Sequence, residues 1–210
     1  MLELRHCRKA YSGRILFDRL SFKVPAGETL QIVGPSGAGK TTLLRLVAGL
    51  DRPDAGDILL RGQPAHGLSL SRRRLGYAFQ DDLLWPHLTV HGHLDYALSG
   101  WPRADREARI RELLHALGLA PLAQARPPQL SGGEARRLNL ARACAARRDI
   151  LLFDEPFAHL DGALSERVRD WLREESRHAA CLLVTHDADA RLKLGSAKLH
   201  LPQKSLEPNA

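Results

Sequence analysis

The sequence predicts an α/β fold whose core is interrupted by a mostly helical insert at about residues 83–148. Three observations point to it. The apolar runs 150–153 and 181–184 are short and unbroken, as strands covered on both faces are. A strand-like run at 29–33 leads into a glycine-bearing loop and then into apolar residues at helical spacing. The middle of the chain carries the 3.6-residue period of an amphipathic helix. At 210 residues the chain suits one domain, or one domain with a sub-lobe, that buries about 70% of its unfolded surface.

The elements follow in chain order. Residues 15–17, 20–24, 29–33 and 56–60 read as strands, separated by turn residues at Ser12-Gly13, Pro25-Ala26-Gly27 and Arg52-Pro53-Asp54. From Lys40 to Leu50, Leu43, Leu44, Val47 and Leu50 share a helical face, with Gly49 close to the end. Between Ala104 and Leu119, Ile110, Leu113, Leu114 and Leu117 fall at i, i+3, i+4 and i+7, and Gly118 stands as a C-terminal stop. Pro127-Pro128 breaks the chain before a second helical segment at 133–148, rich in Ala, Arg and Leu. Residues 201–210 read as a loose tail. The expected organisation is therefore a core of 1–82 with 149–200, a helical insert of 83–148, and the tail.

Composition narrows the function classes. With 44% hydrophobic and 26% charged residues, and no apolar stretch near the roughly 20 residues of a membrane span, the chain reads as a globular protein that crosses no bilayer. No secretory signal is expected at Met1 to Tyr11, which places the site of action in the cytosol. Cys7, Cys144 and Cys181 are odd in number and far apart, so neither a disulfide framework nor structural zinc is expected. The net charge is +7, but the basic residues are scattered, with Arg72 to Arg74 the one triple; no nucleic-acid partner is expected, and a solvated surface or one facing another protein accounts for the charge.

The chemistry is concentrated in two segments. Gly34-Pro35-Ser36-Gly37-Ala38-Gly39-Lys40-Thr41 fits G-x-x-x-x-G-K-[ST] between a predicted strand and a predicted helix. Glycines let backbone N–H groups turn inward around an anion and the helix N-terminus adds its dipole, Lys40 reaches the terminal phosphates, and the Thr41 hydroxyl suits Mg²⁺, with Thr42 beside it in the first helical turn. A plain glycine turn capping a helix is the competing reading, and the Lys-Thr that follows argues against it. In Ile150-Leu151-Leu152-Phe153-Asp154-Glu155, two carboxylates end a buried strand, where ligands of open α/β sheets gather. Alone they read as solvated loop-starters; downstream of a phosphate loop, Asp154 suits the magnesium shell and Glu155 suits polarising an attacking water.

Leu130-Ser131-Gly132-Gly133-Glu134, with the phosphate loop, Phe153-Asp154-Glu155-Pro156 and Thr185-His186-Asp187, resembles the ATP-binding subunit of an ABC transporter in the right order from about Tyr11 to Asp187. The resemblance implies a P-loop NTPase core of RecA-like type with an N-terminal antiparallel β-subdomain and an inserted α-helical subdomain that carries the signature. It implies that Tyr11 stacks on adenine, that Gln80 contacts Mg²⁺ and water and senses the membrane subunit, and that Ser131, Gly132 and Gly133 bind the γ-phosphate held by a second copy. It further implies an inter-subunit role for Asp161 and a γ-phosphate contact for His186. Two copies would sandwich two ATP head to tail, hydrolysing them at the inner face of the membrane for a transmembrane permease, with a solute-binding protein served indirectly.

Several features qualify the resemblance. Ser131-x-x-Glu134 is also a capping box for the helix that follows, and both readings use the same helix N-terminus. Glu134 stands where glutamine is commoner, and Ala158-His159 precedes Leu160-Asp161 where Ser-Ala is more usual. Only 24 residues follow His186, so no C-terminal regulatory domain is expected. The stretch from Phe79 to Val90 resembles bacterial importers of molybdate, thiamine, sulfate and related solutes. Exporter ATPases share the same motifs and stand as the alternative. A soluble ABC ATPase acting on nucleic acid or ribosome would need a long coiled-coil insert or two cassettes, and a GTPase would need an Asn-Lys-x-Asp segment; neither is present.

Overall fold

Two sheets organise the first unit of the chain, Met1–Tyr77 with Arg148–Glu155 and Ser176–Ala210. The computed structural model describes residues 1–11, 13–158, 160, 162–185, 197–201 and 206–208. Asp161 and His186 lie outside the described residues.

The first sheet is antiparallel. Strands β1 (Leu2–Tyr11), β2 (Arg14–Val24), β4 (Ala55–Leu60) and β5 (Gln63–Pro64) stand in the order β2-β1-β4-β5. The second contains β3 (Thr29–Val33), β6 (Leu75–Ala78), β7 (Ile150–Asp154), β8 (Ala180–Val184), β9 (Ala197–His200) and β10 (Leu206–Pro208) in the order β10-β9-β3-β8-β7-β6. Strand β3 pairs in parallel with β8 and β9, and β7 in parallel with β8. Every residue of β3, β7 and β8 is buried, which is why these strands read as unbroken apolar runs. Helix α1 (Lys40–Ala48) packs on β7 and β8, with Leu43, Leu44 and Val47 buried.

The second unit, Ala78–Arg147 with Pro156–Glu175, is helical: α2 (Val90–Ala97), α3 (Arg103–Ala116), α4 (Gly132–Cys144) and α5 (Gly162–Ser176). In α3, Ile110, Leu113 and Leu114 are buried, and Gly118 follows with φ +63°, the left-handed turn that ends the helix.

The α/β fold with an antiparallel sheet and helical segments is the one expected. Details differ. Strand β1 was not legible because its pairing with β2 slips between Leu4 and Cys7 and again before Lys9, which breaks the period-2 pattern. Strand β2 is continuous where two runs are expected: Arg19, with φ +51°, kinks it without ending it. Within the expected tail, Leu206–Pro208 pair antiparallel with β9, a three-residue edge strand too short to show a period.

Candidate functional site

The phosphate loop hangs between β3 and α1. Gly34 leaves no room for a side chain: a Cβ there would stand 2.0 Å from the Leu201 carbonyl oxygen, on the backbone that pairs with Val33. Gly37 and Gly39 have φ of +75° and +94°, the left-handed conformation that L side chains resist. Ala38 N–H closes the loop onto the Pro35 carbonyl at 3.2 Å. Pro35, Ser36 and Gly37 are exposed at its rim, and Ala38 is buried beneath it.

Gly39 is the N-cap of α1, and being glycine it puts no side chain on the first-turn N–H groups of Lys40, Thr41 and Thr42. No acidic residue occupies that turn. Lys40 is only 6% exposed and its ammonium spans the loop, donating to the carbonyls of Gly34 at 2.7 Å and Pro35 at 3.1 Å. An ammonium has three donors. A positive charge, a helix N-terminus without a side-chain cap and a glycine-rich loop fit a polyphosphate.

The strand-end carboxylates belong to the same sheet edge. Ile32 and Asp154 both align with Val184 of the intervening strand, so Asp154 stands level with the end of β3, two strand spacings away, or about 10 Å. Asp154 is 1% exposed. Its charge reaches Tyr77, whose phenol is pushed up by burial and then by that carboxylate. Glu155 follows with φ +52° and is half-buried, its N–H donating to Val184 O at 3.0 Å. A left-handed non-glycine residue costs about 1–2 kcal/mol, strain of the kind found at functional turns. Thr185 N–H in turn donates to Ile32 O, so β3, β7 and β8 release their chains together at this edge.

Among the described residues, no group of three or more His, Cys, Asp and Glu stands ready to hold a metal. The donor set here is a hydroxyl, Thr41, and one buried carboxylate, Asp154. That suits Mg²⁺, which takes one or two carboxylates and completes its shell with substrate phosphate and water.

Tyr11 ends β1 opposite Arg14, and its ring is exposed at 45%. Its hydroxyl donates to Asp51 at 3.1 Å, and the same carboxylate receives Arg45 of α1 at 2.7 Å, which holds Asp51 below the usual carboxylate range. Lys9 lies over the ring at 4.9 Å. The exposed ring is therefore anchored to the helix that begins at the phosphate loop.

Two further expected residues lie in the helical unit. Ser131 is the N-cap of α4: its hydroxyl accepts from Glu134 N–H at 3.4 Å, and Ser131 N–H donates to the Glu134 carboxylate at 2.7 Å. That hydrogen bond holds the Glu134 carboxyl below its usual range. Ser131 and Gly132 are exposed, leaving the helix N-terminus open outward. Gln80 is exposed, and its carbonyl accepts from Arg136 of α4 at 2.5 Å. Within this unit the glutamine segment and the signature helix are thus bonded to each other. Asp161 and His186 lie outside the described residues.

Sequence reasoning missed Arg136, Asn139 and Arg73. The first two are buried polar residues interleaved with Leu138 and Leu140, a pattern that signals buried hydrogen bonding. Arg73 is buried and donates to Val47 O and Ala65 O, holding the C-terminal end of α1. Its signal is only the basic triple 72–74.

Sheet order and phosphate loop define a nucleotide-binding α/β protein of the P-loop class. The sequence profile of the ABC transporter family matches residues 17–158, and the chain belongs to that family. It is 37% identical over 214 residues to the sulfate/thiosulfate import ATP-binding protein CysA of Ralstonia nicotianae, covering 98% of this chain and 58% of the relative. It is 43% identical over 198 residues to the Fe(3+) ions import ATP-binding protein FbpC of Yersinia pestis, covering 89% and 55%. The chain thus spans a little over half the length of the curated relatives it matches. A dimeric ATP-binding cassette solved in a post-hydrolysis state with ADP and Pi superimposes with a TM-score of 0.89 at 27% identity, over 100% of this chain and 99% of that one. An ATP-binding subunit of an ABC transporter gives 0.91 at 25% identity, over 99% and 90%.

Proposed function

We propose that this chain is the ATP-hydrolysing subunit of an ABC importer, acting at the cytoplasmic face of the membrane on a separate transmembrane permease. The observation that carries the reading is the shared sheet edge: the phosphate loop and the Asp154-Glu155 pair leave β3 and β7, the two parallel strands on either side of β8, at the same level. The names of the relatives support import over export, and inorganic ions as the class of solute. Among the described residues, no helix is long and apolar enough to cross a membrane.

The residues divide the work. Loop amides from Gly34 to Gly39, the α1 N-terminus with Thr42, and Lys40 hold the phosphates, and Tyr11 offers its exposed face to the base. Thr41, Asp154 and Gln80 would hold Mg²⁺, which neutralises charge on the phosphates when bound. Glu155 accepts a proton from the attacking water, and His186 contacts the γ-phosphate. Ser131, Gly132 and Gly133 act on the nucleotide of a second, head-to-tail copy, with Asp161 in the loop between sites. The solved dimeric cassettes support that pairing. Each copy alone lacks part of the donor set, and one missing transition-state donor costs about 10²–10³ in kcat. A solute-binding protein would be served through the permease. The core of 1–82 with 149–200 binds nucleotide, and 83–148 carries the signature.

The test is Glu155→Gln. This variant is expected to bind ATP, to lose turnover, and to accumulate as a nucleotide-filled dimer on size-exclusion chromatography. Hydrolysis at the wild-type rate removes Glu155 from its role and the reading with it.

A further inference from the structure

Helix α4 does more than present the signature at its N-terminus. Arg136, only 4% exposed, aims its guanidinium at residues 79–82, donating to Phe79 O at 2.8 Å and Gln80 O at 2.5 Å and pairing with Asp82 at 3.2 Å. Asn139, three residues on, donates to Phe79 O at 2.9 Å, and Arg142, three further, donates to Leu83 O at 3.0 Å. Residues 79–83 are neither helix nor strand, so their carbonyls have no ladder to join. Three side chains at i, i+3 and i+6 on one helical face take the carbonyls of Phe79, Gln80 and Leu83 instead.

Two successive carbonyls gripped by one planar fork fix the two peptide planes that flank Gln80, 79–80 and 80–81. They thereby fix the direction in which the Gln80 side chain leaves the backbone. A lysine ammonium can donate to two carbonyls, but as a point charge with freely rotating donors it lacks the rigid planar fork that sets their mutual orientation.

We propose that Arg136 is a positioning residue for ATP hydrolysis: it registers Gln80 on the signature helix, so that the glutamine and Ser131-Gly132-Gly133 are carried by one rigid piece. This rests on the role given to Gln80 above. Engagement of the signature by a second copy and placement of Gln80 then vary together, because moving α4 moves the carbonyls it holds.

The experiment is a double-mutant cycle in kcat between Arg136→Met and Gln80→Ala, run with Arg136→Lys, and paired with hydrogen exchange of a peptide spanning 79–84 without nucleotide. Arg136→Met is expected to lower kcat about tenfold with the ATP KM within about twofold, and to add less than about twofold to the loss in Gln80→Ala. Arg136→Lys should fall between wild type and Met, and covers the case in which the Met variant does not fold. Losses that multiply, or a raised KM at unchanged kcat, mean that Arg136 acts on stability alone and overturn the proposal. The exchange arm separates the two failures. If the wild-type chain hydrolyses no ATP, the functional reading falls. Registration is then decided by whether peptide 79–84 exchanges at least about tenfold faster in the Arg136 variants while β3 and β7 are unchanged; equal exchange overturns it.

Discussion

His93 is fully buried in the helical unit, and backbone groups of opposite polarity occupy both ring nitrogens. Nδ1 donates to Thr89 O at 2.8 Å and Nε2 accepts from Trp85 N–H at 2.9 Å, which assigns the neutral tautomer. The Trp85 ring stacks on the imidazole at 5.6 Å, and Arg142 lies over that ring at 5.2 Å. Burial pushes the His93 pKa below its ordinary 6.5; the Thr89 carbonyl opposes this, and Arg142 and His87 add to it. The folded state therefore resists a proton that the unfolded chain accepts. The stabilisation is complete above about 6.5 and is lost as pH falls through the lower folded value. The melting temperature should drop between pH 7.5 and 5, with a shallower slope in His93→Gln; equal slopes would mean that His93 is not the titrating group. Two residues earlier in the same helix, His91 is half-buried and meets Glu107 at 3.3 Å.

Three helices meet at Arg109. Its guanidinium, 3% exposed, donates from α3 to the carbonyls of Cys144 and Ala145 at the end of α4, and to Glu175 of α5 at 2.6 Å. It thus closes the C-terminal end of α4, where the last carbonyls lack helical partners. Removing one partner of a buried pair strands the other, so Arg109→Leu should cost about 3–5 kcal/mol in urea unfolding. A loss under about 1 kcal/mol would show that the three helices are held by their apolar faces alone. These elements also show what a sequence can carry. Helix α3 was legible from Ile110, Leu113 and Leu114 because the period is local. Helix α5 carries Leu164, Val168, Trp171 and Leu172 at the same spacing and could have been found by it, although no helix was expected there, whereas α2, eight residues with Gly92 inside, is too short to show a period. The phosphate loop was legible for the same local reason: its glycines, Lys40 and Thr41 are contiguous. The grip of Arg136 on Phe79 and Gln80 was not, since it joins positions 57 and 56 residues apart and its acceptors are carbonyls, which every residue type supplies.

For the molecule as a whole, the decisive property is that one chain holds both a phosphate loop and an exposed, outward-facing helix N-terminus, which under the proposed function serves a neighbouring copy. Ser131→Arg places a bulky cation on that terminus and should abolish hydrolysis while leaving nucleotide binding to the single chain intact. Lost binding, measured by titration with a fluorescent ATP analogue, would return the signature to its own chain's site. Another feature bears on how such pairing could be watched. Cys7, Cys144 and Cys181 are buried thiols in no disulfide, distributed over both units, and burial raises the thiols of Cys7 and Cys181 to about 11. With almost no thiolate at Cys7 and Cys181 at neutral pH, and all three sulfurs buried away from solvent, the native protein should be inert to maleimide dyes. A single cysteine installed at an exposed position such as Leu70 or Tyr96 then becomes a unique attachment point for a fluorophore, with every wild-type sulfur left in place.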